Sequence, residues 1–210
     1  MANWQAILDK CSRLANDAGA TPSEREAALN KMTQIMDTYK LEISREKKIA
    51  NAIGLEYVIQ GEWASKRMVM AHILSKLFDV TVIAMGDAKM TLVGTEFSVT
   101  TFVTIFEVVM SQLNADKKAA KVVGRSGASS FMAGYLIGLK ENVGRVHAER
   151  NKNSEVMALV VTQKAENDAF VRENIGKTRL VATKTQIRDA KAKEIGIEAG
   201  KRATVDRTLE

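Results

Sequence analysis

The chain reads as an α+β protein: an N-terminal antiparallel helical hairpin over residues 1–44, then a domain over 60–210 in which a small, mostly antiparallel sheet packs on two long helices. Three observations predict this. Apolar residues recur every three or four positions through both N-terminal segments. Two short β-branched runs flank the turn sequence Gly86-Asp87-Ala88-Lys89. Two long stretches, from Glu96 and from Phe131, are apolar at helical spacing.

Asn3 can cap a first helix from Trp4 to about Asp17, in which Trp4, Ile7, Leu8, Cys11, Leu14 and Ala15 form one apolar face. Ala18-Gly19-Ala20 ends it. Thr21-Pro22-Ser23-Glu24 then starts a second helix, with Thr at the cap, Pro at the first helical position and Glu placed to close a capping box. Ala28, Leu29, Met32, Ile35, Met36 and Tyr39 face inward up to about Lys40, and the short turn makes the pair a hairpin. Residues 42–62 read as a charged, then mixed linker, with a short strand at Leu55–Ile59.

Glu62–Phe78 has the pattern of a helix, with Trp63, Met70, Ile73, Leu74 and Leu77 apolar. Its lone His72 has no ligand partner one turn on and reads as a packed or surface residue. Val80–Met85 and Met90–Val93 form a β-hairpin across Gly86–Lys89. Thr95 caps a helix from Glu96 to Leu113, roughly 27 Å long and apolar on more than one face, which predicts burial. Asp116–Lys121 gives that helix a basic end suited to its dipole.

A glycine-serine turn, Gly124–Ser130, leads into a helix from Phe131 to about Val146, with Met132, Leu136, Leu139, Val143 and Val146 on one face. Gly134 and Gly138 lie on a neighbouring stripe. Two helical glycines at this spacing, each costing about 1 kcal/mol against alanine, point to close backbone packing or to a site. Val156–Val161 reads as a strand, Lys164–Asn174 as a short helix and Arg179–Thr183 as a further strand or extended loop. Gln186–Ile195 reads as a solvated helix that Gly196 ends in the left-handed conformation, with Gly200–Val205 a last strand.

Several of these residues carry a resemblance. The run Ile7-Leu8-x-Lys10-x-x-x-Leu14-Ala15, then Glu24-x-Glu26-Ala27-Ala28, Lys31, Met36, Tyr39 and Leu41, resembles a helical-hairpin family of phage and bacterial proteins, catalogued as domain of unknown function 2786. The resemblance covers residues 4–42. Val93-Gly94-x-Glu96, Ser130-Phe131-x-x-Gly134 and Gly196-x-x-x-Gly200 are similar to landmarks of the partner domain that commonly follows it. It implies a mobile-element context and no particular reaction.

Lys and Arg exceed Asp and Glu by six, and the excess falls after residue 60, which suits a polyanionic partner. The expected nucleic-acid-binding residues are Lys117, Lys118, Lys121, Arg125, Arg145, Arg150 and Lys152. Arg125, Ser126, Ser129 and Ser130 stand where a helix start can take an anion, although capping explains the same residues. No Walker loop or dinucleotide fingerprint is present. One Cys and two His make no disulfide framework or zinc site, and His147-Ala148-Glu149-Arg150 lacks a second His. Asp87 and Glu96 are the one carboxylate pair worth testing. The residues therefore favour a binding protein over an enzyme, with no catalytic set, metal or cofactor assigned. No leader or membrane-length apolar run is read, so a cytoplasmic protein is expected.

Three functions remain in view. The first is a phage-type accessory protein binding nucleic acid without sequence preference, DNA rather than RNA, in replication, recombination or transcription. The second is a module that docks a host or phage protein and modulates it. The third is a ligand-binding or hydrolytic enzyme centred on Ser126–Ser130. Trp63 and Tyr57 are the candidate aromatics for single-strand binding, although burial in the core is the favoured reading of both. Self-association through glycine-rich helix faces or an edge strand is compatible with each.

Overall fold

The structure is a computed structural model that describes residues 4–17, 20–21, 23–24, 27–28, 31–32, 34–35, 52–59, 63–86, 88–150, 154–178, 187–203 and 205. It is helix-rich, with one three-stranded antiparallel sheet, which agrees with the α+β class. Helix α1, Trp4–Asn16, buries Ala15 and packs Ile7 and Cys11 against the core. The capping box forms as its residues require: the Thr21 N–H donates to Glu24 Oε2 at 2.8 Å and the Glu24 N–H donates to Thr21 Oγ1 at 3.3 Å. Ala28, Met32 and Ile35, spaced for one helical face, are all buried. Leu29, Met36 and Tyr39 lie outside the described residues.

The sheet comprises β1 (Ile53–Val58), β2 (Thr81–Ala84) and β3 (Lys89–Gly94), in the order β1-β3-β2. Leu92 of the central strand stands opposite Leu55 on one side and Val82 on the other. Strand alternation then sorts the faces. Tyr57, two residues along from Leu55, meets Phe106 edge-on at 5.8 Å between ring centres. Gly54 points the other way, where an added β-carbon would lie 3.0 Å from Phe170. The sheet thus has helix α3 (Glu96–Ala119) on one face and helix α5 (Ser154–Asn174) on the other.

Helix α2 (Ala64–Leu74) and a 3-10 turn, Ser75–Leu77, precede β2. Thr95 caps α3 as expected, accepting from the Ser98 N–H at 3.1 Å. Phe102 and Phe106, one turn apart, stack at 6.0 Å, and Phe78 closes on Phe102 at 6.1 Å. Burying each such ring contributes about 1.5–3 kcal/mol. Helix α4, Gly124–Arg150, packs on α2, α3 and α6 (Ala190–Lys201).

Four sequence expectations are corrected. Val156–Val161 belongs to helix α5, because no glycine or proline separates this apolar run from the helical stretch that follows it. Gly124–Ser130 is the opening of α4 and not a turn ahead of Phe131. Gly196 lies inside α6, which continues to Lys201. The segment after it makes no strand among the described residues. Arg179–Thr183 and Asp87 lie outside those residues.

The α4–α6 crossing explains Gly196. An added β-carbon would lie 2.0 Å from Lys193 O at Gly134, 2.0 Å from Ile197 O at Gly138, 2.1 Å from Phe131 O at Gly196 and 2.1 Å from Tyr135 O at Gly200. Two small-xxx-small stripes therefore interlock, backbone against backbone. Partners advance together from Ser130 with Asp189 to Asn142 with Ala203, so the helices run parallel.

Candidate functional site

The helical repeat divides the first turns of α4 into two working faces. Arg125 and Ser129, one turn apart, look towards α2. Ser126 and Ser130 occupy the next stripe, and Ser130 is fully buried against the start of α6. The Ser130 hydroxyl oxygen accepts from the backbone N–H groups of Arg188 at 3.2 Å and Asp189 at 3.1 Å. Asp189 in turn caps α6, its Oδ1 accepting from the Ala192 N–H at 2.9 Å. Its other carboxylate oxygen lies 3.5 Å from where a Gly127 β-carbon would stand.

On the Arg125–Ser129 face, Lys66 of α2 reaches across and donates to the Ser129 carbonyl at 2.9 Å and to the Ser129 hydroxyl. Lys66 is only 7% exposed, and no carboxylate pairs with it among the described residues. Burial holds its ammonium below the ordinary lysine pKa. The Lys66 Nζ lies over the Trp63 ring at 4.8 Å from its centre, and the Arg125 guanidinium carbon at 5.7 Å. Trp63 takes the left-handed conformation, φ 67° and ψ 31°, at the N-terminus of α2. That costs a bulky residue of order 1–3 kcal/mol, and it sets the indole between α2 and α4.

The expected anion residues therefore do not form one cradle. Ser129 is engaged by Lys66 and Ser130 by α6, which leaves Arg125 and Ser126 exposed at the helix start. The expected cations separate as well. Lys117, Lys118, Lys121 and Arg125 bracket the turn from α3 to α4, and none is in an ion pair among the described residues. Arg145 lies near the opposite end of the 27-residue α4, which at ~1.5 Å per residue is about 40 Å long. There it donates to Asn142 Oδ1 at 3.4 Å. Arg150 ends that helix, and Lys152 lies outside the described residues.

Neither aromatic is free to stack on a base. The Trp63 ring already carries Lys66 and Arg125, and the Tyr57 ring packs on Phe106 while its hydroxyl donates to Glu107 Oε1 at 3.2 Å. Sequence reasoning missed Lys66, whose partner is remote in the chain. The spacing Trp63-x-x-Lys66 on a predicted helix was the one available signal.

Among the described residues no group of three His, Cys, Asp or Glu side chains is arranged to hold a metal ion, and no helix is long and apolar enough to cross a membrane. No family model matches the chain, and neither the curated proteins nor the solved structures contain a match.

Proposed function

We propose that this protein binds nucleic acid without sequence preference, holding the phosphate backbone at the corner where α3 turns into α4. The observation that carries the reading is the Arg125 guanidinium, exposed and seated on Trp63 beside the buried Lys66 ammonium. A guanidinium held against an indole keeps its fork available for a phosphate. Lys117, Lys118 and Lys121, in no ion pair among the described residues, add charge on the other side of the turn. Arg145 and Arg150 lie towards the far end of α4, roughly 30 Å or more along the helix from Arg125. The mobile-element context implied by the family resemblance favours DNA over RNA.

The test is fluorescence anisotropy with single- and double-stranded oligonucleotides at two salt concentrations. Binding should fall steeply with salt, and each phosphate that a variant no longer neutralises should lower the log–log slope by about 0.7 on single strands and 0.9 on duplex. Arg125→Ala with Lys121→Ala should weaken binding on every sequence alike, whereas Arg145→Ala should leave it unchanged. Absence of binding at low salt sinks the proposal.

A second reading, a hydrolase, rests on the hydrogen bond between Lys66 and Ser129. A serine hydroxyl against a buried lysine of depressed basicity is the arrangement of an activated nucleophile and its base. A fluorophosphonate probe that leaves Ser129 unlabelled at pH 8 removes it.

A further inference from the structure

We infer that the outer edge of β1 is the seam of a two-fold homodimer, in which Ile53–Val58 pairs antiparallel with the same strand of a second copy and Leu55 lies on the axis. The helix faces that suit self-association are already occupied: Gly134 and Gly138 are filled by α6, and Gly196 and Gly200 by α4. The two sheet edges remain, and β1, six residues against four in β2, is the longer of them. β1 is hydrogen-bonded on one side only, to β3, over six consecutive residue pairs without a bulge. Its other side has no hydrogen-bond partner among the described residues.

Edges that stay alone are usually blunted by lysine, proline, a bulge or short length. β1 has none of these. It leaves Ile53 37%, Leu55 41% and Val58 53% exposed. Its one charge is Glu56, and in pairing with a second copy that charge decides between the two registers, centred on Leu55 or on Glu56, that keep most of the strand paired. A two-fold axis normal to the sheet keeps each side chain on its own face, so the axis must pass through a residue and not between two. Centring on Glu56 would set like charges directly opposite one another, which is destabilising. Centring on Leu55 sets Leu55 against its own copy, Ile53 against Tyr57 and Gly54 against Glu56. Apolar pairs then meet on the α3 face, while each carboxylate stands across from a glycine. The result is one six-stranded sheet. A strand of this length covers less than the ~800 Å² per partner of a standard interface, so association in the micromolar range is expected.

Nuclease-treated protein should show a monomer–dimer equilibrium by sedimentation velocity between about 1 and 200 µM. Leu55→Lys, at an exposed position, should shift it at least tenfold towards monomer with an unchanged thermal midpoint in dilute solution. In a Cys11→Ser background, Leu55→Cys should cross-link to a disulfide dimer on mild oxidation and Val58→Cys should not. A protein monomeric throughout that range, a dimer indifferent to Leu55→Lys, or cross-linking equal at both positions would each overturn the inference.

Discussion

A β-carbon placed on Gly134 would stand 2.0 Å from the carbonyl oxygen of Lys193, so these two helices touch where only hydrogen can fit. Lys193 lies on α6 and cannot retreat alone, since its oxygen belongs to the helix backbone. Gly134→Ala must therefore push α6 off α4. Overpacking of this kind costs about 3 kcal/mol, well above the ~1 kcal/mol that alanine returns in helix propensity. Gly144→Ala, on the same helix with nothing within 4 Å of the added carbon, should instead stabilise by up to about 1 kcal/mol. Urea denaturation of both variants separates the two outcomes; equal effects would remove the crossing as the cause.

Ser130 fastens the start of α6 by accepting from two consecutive backbone N–H groups, those of Arg188 and Asp189. Ser130→Ala keeps the volume nearly constant and leaves both donors without that acceptor, at a cost of about 1–3 kcal/mol. Amide hydrogen exchange should speed up at Arg188, Asp189 and Ala192 before it does so in β3. Uniform acceleration across the chain would contradict this role.

Tyr135 is fully buried on α4, and its hydroxyl has no hydrogen-bond partner among the described residues. Burial, reinforced by the Asp116 charge, pushes the phenol well above its ordinary pKa. Tyr135→Phe removes a desolvated polar atom and no bond, so it should raise stability by about 1 kcal/mol. A loss of stability in thermal or urea unfolding would show that the hydroxyl has a partner in solution.

Lys66 carries a pH dependence whose sign follows from its burial. The folded-state pKa lies below the ordinary 10.5, so the charged form is less favourable folded than unfolded. Below the folded value both states hold the proton and the full cost is present. Between that value and 10.5 the unfolded chain binds more protons, and stability rises with pH. Lys66→Met should be neutral or stabilising at pH 7 and should lack the alkaline rise in stability that the parent shows. Parallel profiles for the two proteins above pH 8 would remove Lys66 as their origin.

Much of the local structure was legible from residues whose physics is short-range. The Thr21–Glu24 box, the Thr95 cap and the β2–β3 hairpin each depend on groups a few positions apart, and each forms as expected. Val156–Val161 was not legible, because a short apolar run carries the same signal whether it is strand or helix interior. Gly196 was misread for a related reason. Glycine suits a helix end or a close crossing, and only the position of α4 distinguishes them.

The candidate site divides along the same line. The charges of Lys117, Lys118, Lys121 and Arg125 gather at one corner because the chain itself keeps them adjacent. Lys66 meeting Ser129, Trp63 carrying Arg125, and Arg145 lying far from all of them are consequences of how α2 docks on α4 and of how long α4 is. The sequence by itself determined the helix caps, the hairpin, the apolar faces and the positive excess, since each depends on neighbouring residues and on composition. The tertiary structure alone decided which glycines face which carbonyls, which lysine is buried and which strand edge is left open. Those outcomes depend on the meeting of residues far apart in the chain, and local propensity carries no information about them.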